Sequence, residues 1–184
     1  MNEIVPMLAP DRLVFLDETA VATSLGRNYG WAPRGIDAEL RRDPYPEHLS
    51  VVGAMALDGV RTSMAIEGAF DGHAFLPFVE NFLVPVLRPG DIVVMDNLRV
   101  HKVAGVREAI EAAGAFVLHQ PAYSPDFNPI ECLWCWIKSR IRDVVPDSLD
   151  EALRLFGKAL HDLPTEYISA WFRHCGYERA AESC

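Results

Sequence analysis

The chain has 184 residues, of which 50% are hydrophobic and 23% charged, as is ordinary for one globular domain with a sizeable core. Its formal net charge of −9 argues against a general nucleic-acid binder, because affinity for DNA comes largely from Lys and Arg on phosphates. No apolar run is long enough to cross a bilayer, and the N-terminus has no basic stretch followed by an apolar segment. We therefore expect a cytoplasmic protein.

The N-terminal part of the chain predicts three strands. An apolar run predicts a buried strand that ends at Asp17-Glu18, and residues 19–48, rich in Gly, Pro and Arg, predict a loop. Asp58-Gly59 predicts a hairpin turn between two strand-like runs, since both positions tolerate positive φ. The predicted strands cover residues 12–16, 49–57 and 60–69.

The remaining sequence predicts alternating strands and helices. Asp71 is a predicted N-cap, and Ser148 with Glu151 forms a capping box. The predicted strands are 92–95 and 115–119, and predicted helices begin near residues 71, 103, 129, 148 and 164. A hairpin followed by strand–helix alternation predicts an α/β fold with a mixed five-stranded sheet flanked by helices.

Three acidic residues fall at the ends of predicted elements. Asp17 ends the first strand, Asp96 follows the strand 92–95, and Glu131 opens the helix after a proline-rich segment. Strand ends are where α/β sheets build their sites. Converging carboxylates repel one another unless a cation lies between them, and hard oxygen ligands suit Mg²⁺. Each position also has a structural interpretation, as a turn residue or as a match to a helix dipole.

Three local sequences carry a family resemblance. They are residues 15–19, residues 94–97 with His101 and Lys102, and residues 123–131. They resemble the catalytic blocks of the mariner superfamily of transposases in its bacterial insertion-sequence branch, and Trp31-Ala32-Pro33-Arg34-Gly35 resembles a further block. Between Asp96 and Glu131 lie residues 97–130, 34 in number, which is similar to the family's spacing.

The resemblance implies a ribonuclease H-like fold and a catalytic triad. Asp17, Asp96 and Glu131 would hold two Mg²⁺ or Mn²⁺ ions, which serve cleavage of a phosphodiester. Glu18 lies beside the triad but is not expected to be a primary ligand, because successive strand residues point to opposite faces. Asn97 and His101 are expected to shape the site or to contact DNA, and the candidate DNA contacts are Trp31, Arg34, Lys102 and Lys138. Asp126 and Asn128 are expected to be turn and cap residues that set the helix of Glu131.

The activity implied is metal-dependent strand cleavage at the ends of an insertion sequence, followed by strand transfer into TA-containing target DNA. The implied partners are double-stranded DNA and a second copy of the chain. Only about ten residues precede the first predicted strand. We therefore expect residues 1–184 to be a single catalytic domain whose helix-turn-helix DNA-binding region is absent or separately encoded.

Three alternatives remain open. A non-transposing nuclease such as a ribonuclease H is disfavoured by the proline block before Glu131. A decayed or domesticated fragment that acts only as a binding module is favoured by the missing DNA-reading region and disfavoured by the intact triad. An acidic α/β domain whose acids are caps would bind no cation. Metal-dependent nicking of terminal-repeat DNA would separate these possibilities.

Overall fold

A mixed five-stranded sheet organises the chain in the computed structural model, which describes residues 9–23, 33–35, 47–121 and 124–178. Its strands are β1 (Leu13–Ala22), β2 (His48–Ala56), β3 (Gly59–Glu67), β4 (Ile92–Met95) and β5 (Phe116–His119). Their spatial order is β3-β2-β1-β4-β5. The pairs β1–β2 and β2–β3 are antiparallel, whereas β1–β4 and β4–β5 are parallel. The predicted mixed sheet of five strands is thus confirmed.

Helices cover both faces of the sheet. They are α1 (Gly72–Phe78), α2 (Val106–Ala112), α3 (Pro129–Val144), α4 (Leu149–His161) and α5 (Thr165–His174). The predicted N-caps are confirmed: Asp71 accepts from the backbone N–H groups of His73 and Ala74, and the Ser148 hydroxyl accepts from that of Glu151. The capping box is only half formed, because the Glu151 carboxylate accepts from the backbone N–H of Asp147 and not from that of Ser148. Within the described ranges, no helix combines the length and apolar character needed to cross a membrane.

Alternation along β1 divides the core into two layers. Leu13 and Phe15 belong to the layer packed under α3, α4 and α5. Val14 and Leu16 belong to the layer packed under α1 and α2. Because side chains alternate along a strand, Asp17 is directed toward the α3 layer and Glu18 toward the opposite layer.

The first predicted strand was too short. Asp17 does not end β1, which continues to Ala22 because β2 pairs with it along that length, with Asp17 opposite Gly53. The parallel pairing with β4, however, stops at Phe15 opposite Val94. Asp17 therefore lies inside its strand and yet just past the carboxyl end of the β1–β4 pair.

Two predicted element boundaries differ from the observed ones by a few residues. The hairpin turn is one residue earlier than predicted, because Gly59 already pairs with Ala56 across the β2–β3 ladder. The helix predicted from about residue 103 begins at Val106, because residues 100–102 form a 3-10 turn and Gly105 has a φ of 96°. Positive φ interrupts a right-handed helix and favours glycine.

The helix α3 is seated directly on β2. A Cβ built on Gly53 would lie 2.7 Å from Cη2 of Trp134, closer than two carbon atoms approach. Trp134 is 2% exposed and therefore occupies the space that a side chain at position 53 would need. This contact fixes α3, and with it Glu131, over the strand position opposite Asp17.

Candidate active site

Asp17 lies in a buried position in the middle of β1. It is 9% exposed, and its Oδ1 accepts a hydrogen bond of 2.9 Å from the backbone N–H of Glu18. Its Oδ2 lies 3.5 Å from Nδ2 of Asn128, the residue that precedes α3. One oxygen of this carboxylate is thus oriented by its own strand and the other by the start of a helix.

Three further carboxylates act on Asp17. The pKa of Asp17 is raised to about 7, chiefly by burial and next by the negative charge of Glu131. The charges of Glu18 and Asp96 also contribute to this rise, while the hydrogen bond from the Glu18 backbone opposes it. Of the predicted triad, Glu131 and Asp96 are therefore both close enough to Asp17 to act on its charge, although the three residues come from β1, the end of β4 and α3.

Asp96 lies in the loop that follows β4 and is partly exposed. Its Oδ1 accepts from the backbone N–H of Leu98 at 3.0 Å and lies 2.6 Å from Nδ1 of His101. Its backbone carbonyl accepts from Nδ1 of His119, the last residue of β5, at 3.0 Å. Two imidazoles therefore hold this loop, one through the side chain of Asp96 and one through its backbone.

His101 connects Asp96 to Glu18. Its side chain is fully buried, with the ring centroid 4.7 Å from that of Phe75 in α1. Its Nε2 lies 2.8 Å from Oε1 of Glu18, on the face of β1 opposite to Asp17. Burial lowers the pKa of His101, but the hydrogen bond to Glu18 and the charges of Glu18 and Asp96 raise it more. The resulting imidazolium would donate to both carboxylates.

Glu131 lies in the first turn of α3 and is exposed. Pro129 begins the helix, where its missing N–H has little cost. Asn128 occupies the predicted cap position, but its side chain makes no capping hydrogen bond and contacts Asp17 instead. The predicted cap position is thus confirmed, without a side-chain capping hydrogen bond. The local sequence around Asn128 is the same whether its side chain caps α3 or contacts Asp17, so the sequence alone does not distinguish these two roles.

The segment before α3 is positioned by two residues that the sequence analysis did not single out. The backbone carbonyl of Phe127 accepts from Nε2 of Gln120 at 3.1 Å and from the Tyr177 hydroxyl at 2.8 Å. Asp126 precedes Phe127 in a 3-10 turn and is exposed, as expected of a turn residue. No local motif marks the contact with Tyr177, which lies 50 residues away in sequence.

The donor set has the chemistry of a hard-cation site. Carboxylate oxygens are what Mg²⁺ and Mn²⁺ prefer, and a cation would relieve the repulsion that raises the pKa of Asp17. The side chains do not already form a closed ligand group: in the part of the chain that the structure describes, no three His, Cys, Asp or Glu residues are arranged to hold a metal ion. One oxygen of Asp96 is turned toward His101.

The other predicted site residues are distributed unevenly. Asn97, Lys102 and His119 line a groove of about 450 Å³ beside Asp96, with Val103 and Val117 among its apolar walls. Arg34 is exposed and Lys138 is partly buried. Trp31 lies outside the described residues. A larger cavity of about 860 Å³ lies near the N-terminal start of β1 and not beside the carboxylates. Its lining includes Pro10, Asp11, Leu57, Arg88 and Arg173.

Comparison with known proteins identifies a family. A family model described as DDE superfamily endonuclease matches residues 12–152, which include all three carboxylates. A comparison with curated protein sequences gave no match.

Solved structures show the same fold. The chain is similar to a Mos1 transposase paired-end complex with left transposon end, with a TM-score of 0.79 and 17% identity over 95% of this chain and 55% of that one. It is also similar to the catalytic domain of Mos1 mariner transposase, with a TM-score of 0.65 and 16% identity over 95% of this chain and 80% of that one. The chain thus has the ribonuclease H-like fold of these proteins, and it spans about half the length of the paired-end transposase chain.

Proposed function

Because the chain belongs to the DDE superfamily endonuclease family, we propose that it is the catalytic domain of a DNA transposase of the mariner superfamily, from the insertion-sequence branch. The proposed activity is metal-dependent cleavage at element ends followed by strand transfer. The observation that carries it is the placement of Asp17 and Asp96 just past the β1–β4 pair and of Glu131 in the first turn of α3, all within the residues that match the family model. The charges of Glu131 and Asp96 contribute to the raised pKa of Asp17, and carboxylates kept together against such repulsion are typical of a site built for cations.

In this proposal Asp17, Asp96 and Glu131 hold two Mg²⁺ or Mn²⁺ ions. Bound there, the cations would activate a water or a 3′-hydroxyl as nucleophile and offset charge on the phosphoryl group. Asp17 contributes a carboxylate fixed by the Glu18 backbone. Asp96 contributes one whose Oδ1 is occupied by His101, which leaves Oδ2 for a ligand. Glu131 is exposed and can turn toward either.

Double-stranded DNA is the proposed substrate, both as element end and as target. The groove beside Asp96 presents Lys102 and Asn97, which can donate to phosphate oxygens. The net charge of −9 predicts weak DNA binding by these residues alone. We therefore propose that productive binding needs a helix-turn-helix region and a second copy of the chain. The solved Mos1 complexes, which include a paired-end complex with a transposon end, support this assignment.

A second candidate function is that of a binding module that no longer cuts DNA. The acidic charge favours it, as does the lack, among the described residues, of a ready-made group of metal ligands. It predicts that the fold binds a partner without any dependence on divalent cations.

Cleavage of a labelled DNA duplex separates the two functions. At high protein concentration and low salt, Mg²⁺ or Mn²⁺ should support nicking by the native protein and none by Asp96→Asn. Asp150→Asn is a matched control, since Asp150 is exposed in the first turn of α4, away from the carboxylates. If the native protein fails to nick even when a helix-turn-helix region is supplied in trans, the binding-module function replaces the proposal.

A further inference from the structure

Asn128 behaves unlike the other polar residues at helix starts. Asp71 and Ser148 both use their side chains to accept from backbone N–H groups of the following helix. Asn128 precedes α3 in the same position but makes no such bond, and it is 6% exposed. Buried polar groups are usually hydrogen-bonded, so a buried amide that does not cap its helix is expected to have other hydrogen-bond partners.

The amide group of Asn128 is aimed at the carboxylates. Its Nδ2 lies 3.5 Å from Oδ2 of Asp17. Its Oδ1 is buried and has no hydrogen-bond donor among the described groups. The other buried side-chain atoms in this state within the described ranges are the indole nitrogens of Trp134 and Trp136, which are donors on α3. Asn128 therefore contributes the one buried side-chain acceptor without a partner among the residues that the structure describes.

The surroundings restrict what can satisfy this oxygen. Asp17 is in contact with Asn128, and Glu131 and Asp96 act on Asp17. Ionised carboxylates accept hydrogen bonds and donate none. In the metal-bound state all of these carboxylates are ionised, so the donor has to come with the ligand. A water molecule carried by a divalent cation is a donor that three carboxylates would bring to this point. Mg²⁺ in particular usually keeps several of its waters.

We propose that Asn128 is a positioning residue of the metal site. Its Nδ2 orients the carboxylate of Asp17, and its Oδ1 would accept a hydrogen bond from a water of the bound cation. Asn128 also precedes Glu131 by three residues, so that the same amide ties β1 to the turn of α3 that carries the second carboxylate. This inference rests on the proposed function, because it requires the carboxylates to bind a cation.

The test measures Mn²⁺ affinity by electron paramagnetic resonance together with the melting temperature without metal. Asn128→Ser is the informative variant, because Ser is a good N-cap residue but is too short to span the contact with Asp17. It should keep the metal-free melting temperature and weaken Mn²⁺ binding by roughly 10-fold to 100-fold, as loss of groups that orient metal ligands does. Asn128→Ala should weaken it as much.

Asn81→Ala is the matched control, since Asn81 is exposed and its Nδ2 donates to the carbonyl of Pro77. Its Mn²⁺ affinity should equal that of the native protein. If both Asn128 variants bind Mn²⁺ within twofold of the native protein, Asn128 does not position the site and the proposed function is untouched. If the native protein itself binds no Mn²⁺, this inference and the proposed function fail together.

Discussion

Asp17 and Asp96 are neighbouring carboxylates held in opposite ways. Asp17 is buried within a strand, where an amide and a backbone N–H orient it and where burial and like charges raise its pKa to about 7. Asp96 is partly exposed in a loop, where a buried imidazole with a raised pKa lies 2.6 Å from one oxygen. The first environment disfavours the charge that metal binding needs, and the second supplies a counter-charge. Neighbouring carboxylates can thus be held by opposite means, one by its own strand and the start of a helix, the other by an imidazole.

The largest expected effect is on activity and does not distinguish the two. Asp17→Asn and Asp96→Asn should each reduce metal-dependent nicking to background, because each removes a proposed ligand of the cations. Circular dichroism should show that both variants remain folded. Nicking by either variant at the native rate would remove that residue from the proposed ligand set.

Stability without metal should separate the two residues. The unfolded chain releases the Asp17 proton near pH 3.8 and the folded chain near pH 7, so the folded state binds more protons between these values. The free energy of unfolding should therefore fall as pH rises from about 4 to 7, by up to roughly 4 kcal/mol from this residue.

Urea unfolding at several pH values measures this fall. Asp17→Asn should remove it, and Asp96→Asn should keep most of it, because Asp96 is the smallest of the causes that raise the pKa of Asp17. Saturating Mg²⁺ should reduce it in the native protein, because a cation favours the ionised carboxylate. An unchanged slope in Asp17→Asn would contradict the raised pKa.

The seating of α3 can be disturbed from the β2 side. Gly53→Ala places a Cβ against Trp134, which is buried and has little room to move, and should destabilise the fold by about 1–3 kcal/mol. Mn²⁺ affinity should fall as well, because α3 carries Glu131. Gly157→Ala is the control: nothing lies within 4 Å of its new methyl group, and it should stabilise α4 by about 0.5–1 kcal/mol. Equal free energies of unfolding for Gly53→Ala and Gly157→Ala would show that Trp134 can move aside without destabilising the fold.

The smallest effect is expected at Glu18, which acts on Asp96 only through His101. Glu18→Ala should weaken Mn²⁺ binding by about 10-fold, at the lower end of what loss of such orienting groups produces. Glu18→Gln keeps an oxygen for the imidazole and should lie between Glu18→Ala and the native protein. Glu80→Ala, at an exposed position, should have no effect. Native Mn²⁺ affinity in Glu18→Ala would mean that His101 orients Asp96 without its contact to Glu18.

The sequence predicts this site well where the information is local. The apolar run before Asp96 indicates β4, and the prolines before Glu131 place that residue in a first helical turn. The strand through Asp17 was cut short because residues 17–19 are polar, and only pairing with β2 keeps them extended. Local pattern cannot report a partner strand.

The hydrogen bonds around the site were not predictable in the same way. Glu18 and His101 are 83 residues apart, and Asn128 and Asp17 are 111 apart. Nothing in either local sequence states that these side chains meet. The alternation of side chains along a strand did place Glu18 on the face opposite to Asp17. The contact of Glu18 with His101, however, depends on the 3-10 turn after β4 and on the packing of His101 against Phe75.

The contact between Gly53 and Trp134 also constrains how this chain can vary. The two positions share one volume, so a larger residue at 53 is tolerable only together with a smaller one at 134. In an alignment of homologous chains the two columns should therefore covary, with glycine accompanying tryptophan. A single substitution that enlarges residue 53 should therefore be selected against. Homologous chains with a larger residue at 53 should also have a smaller residue at 134.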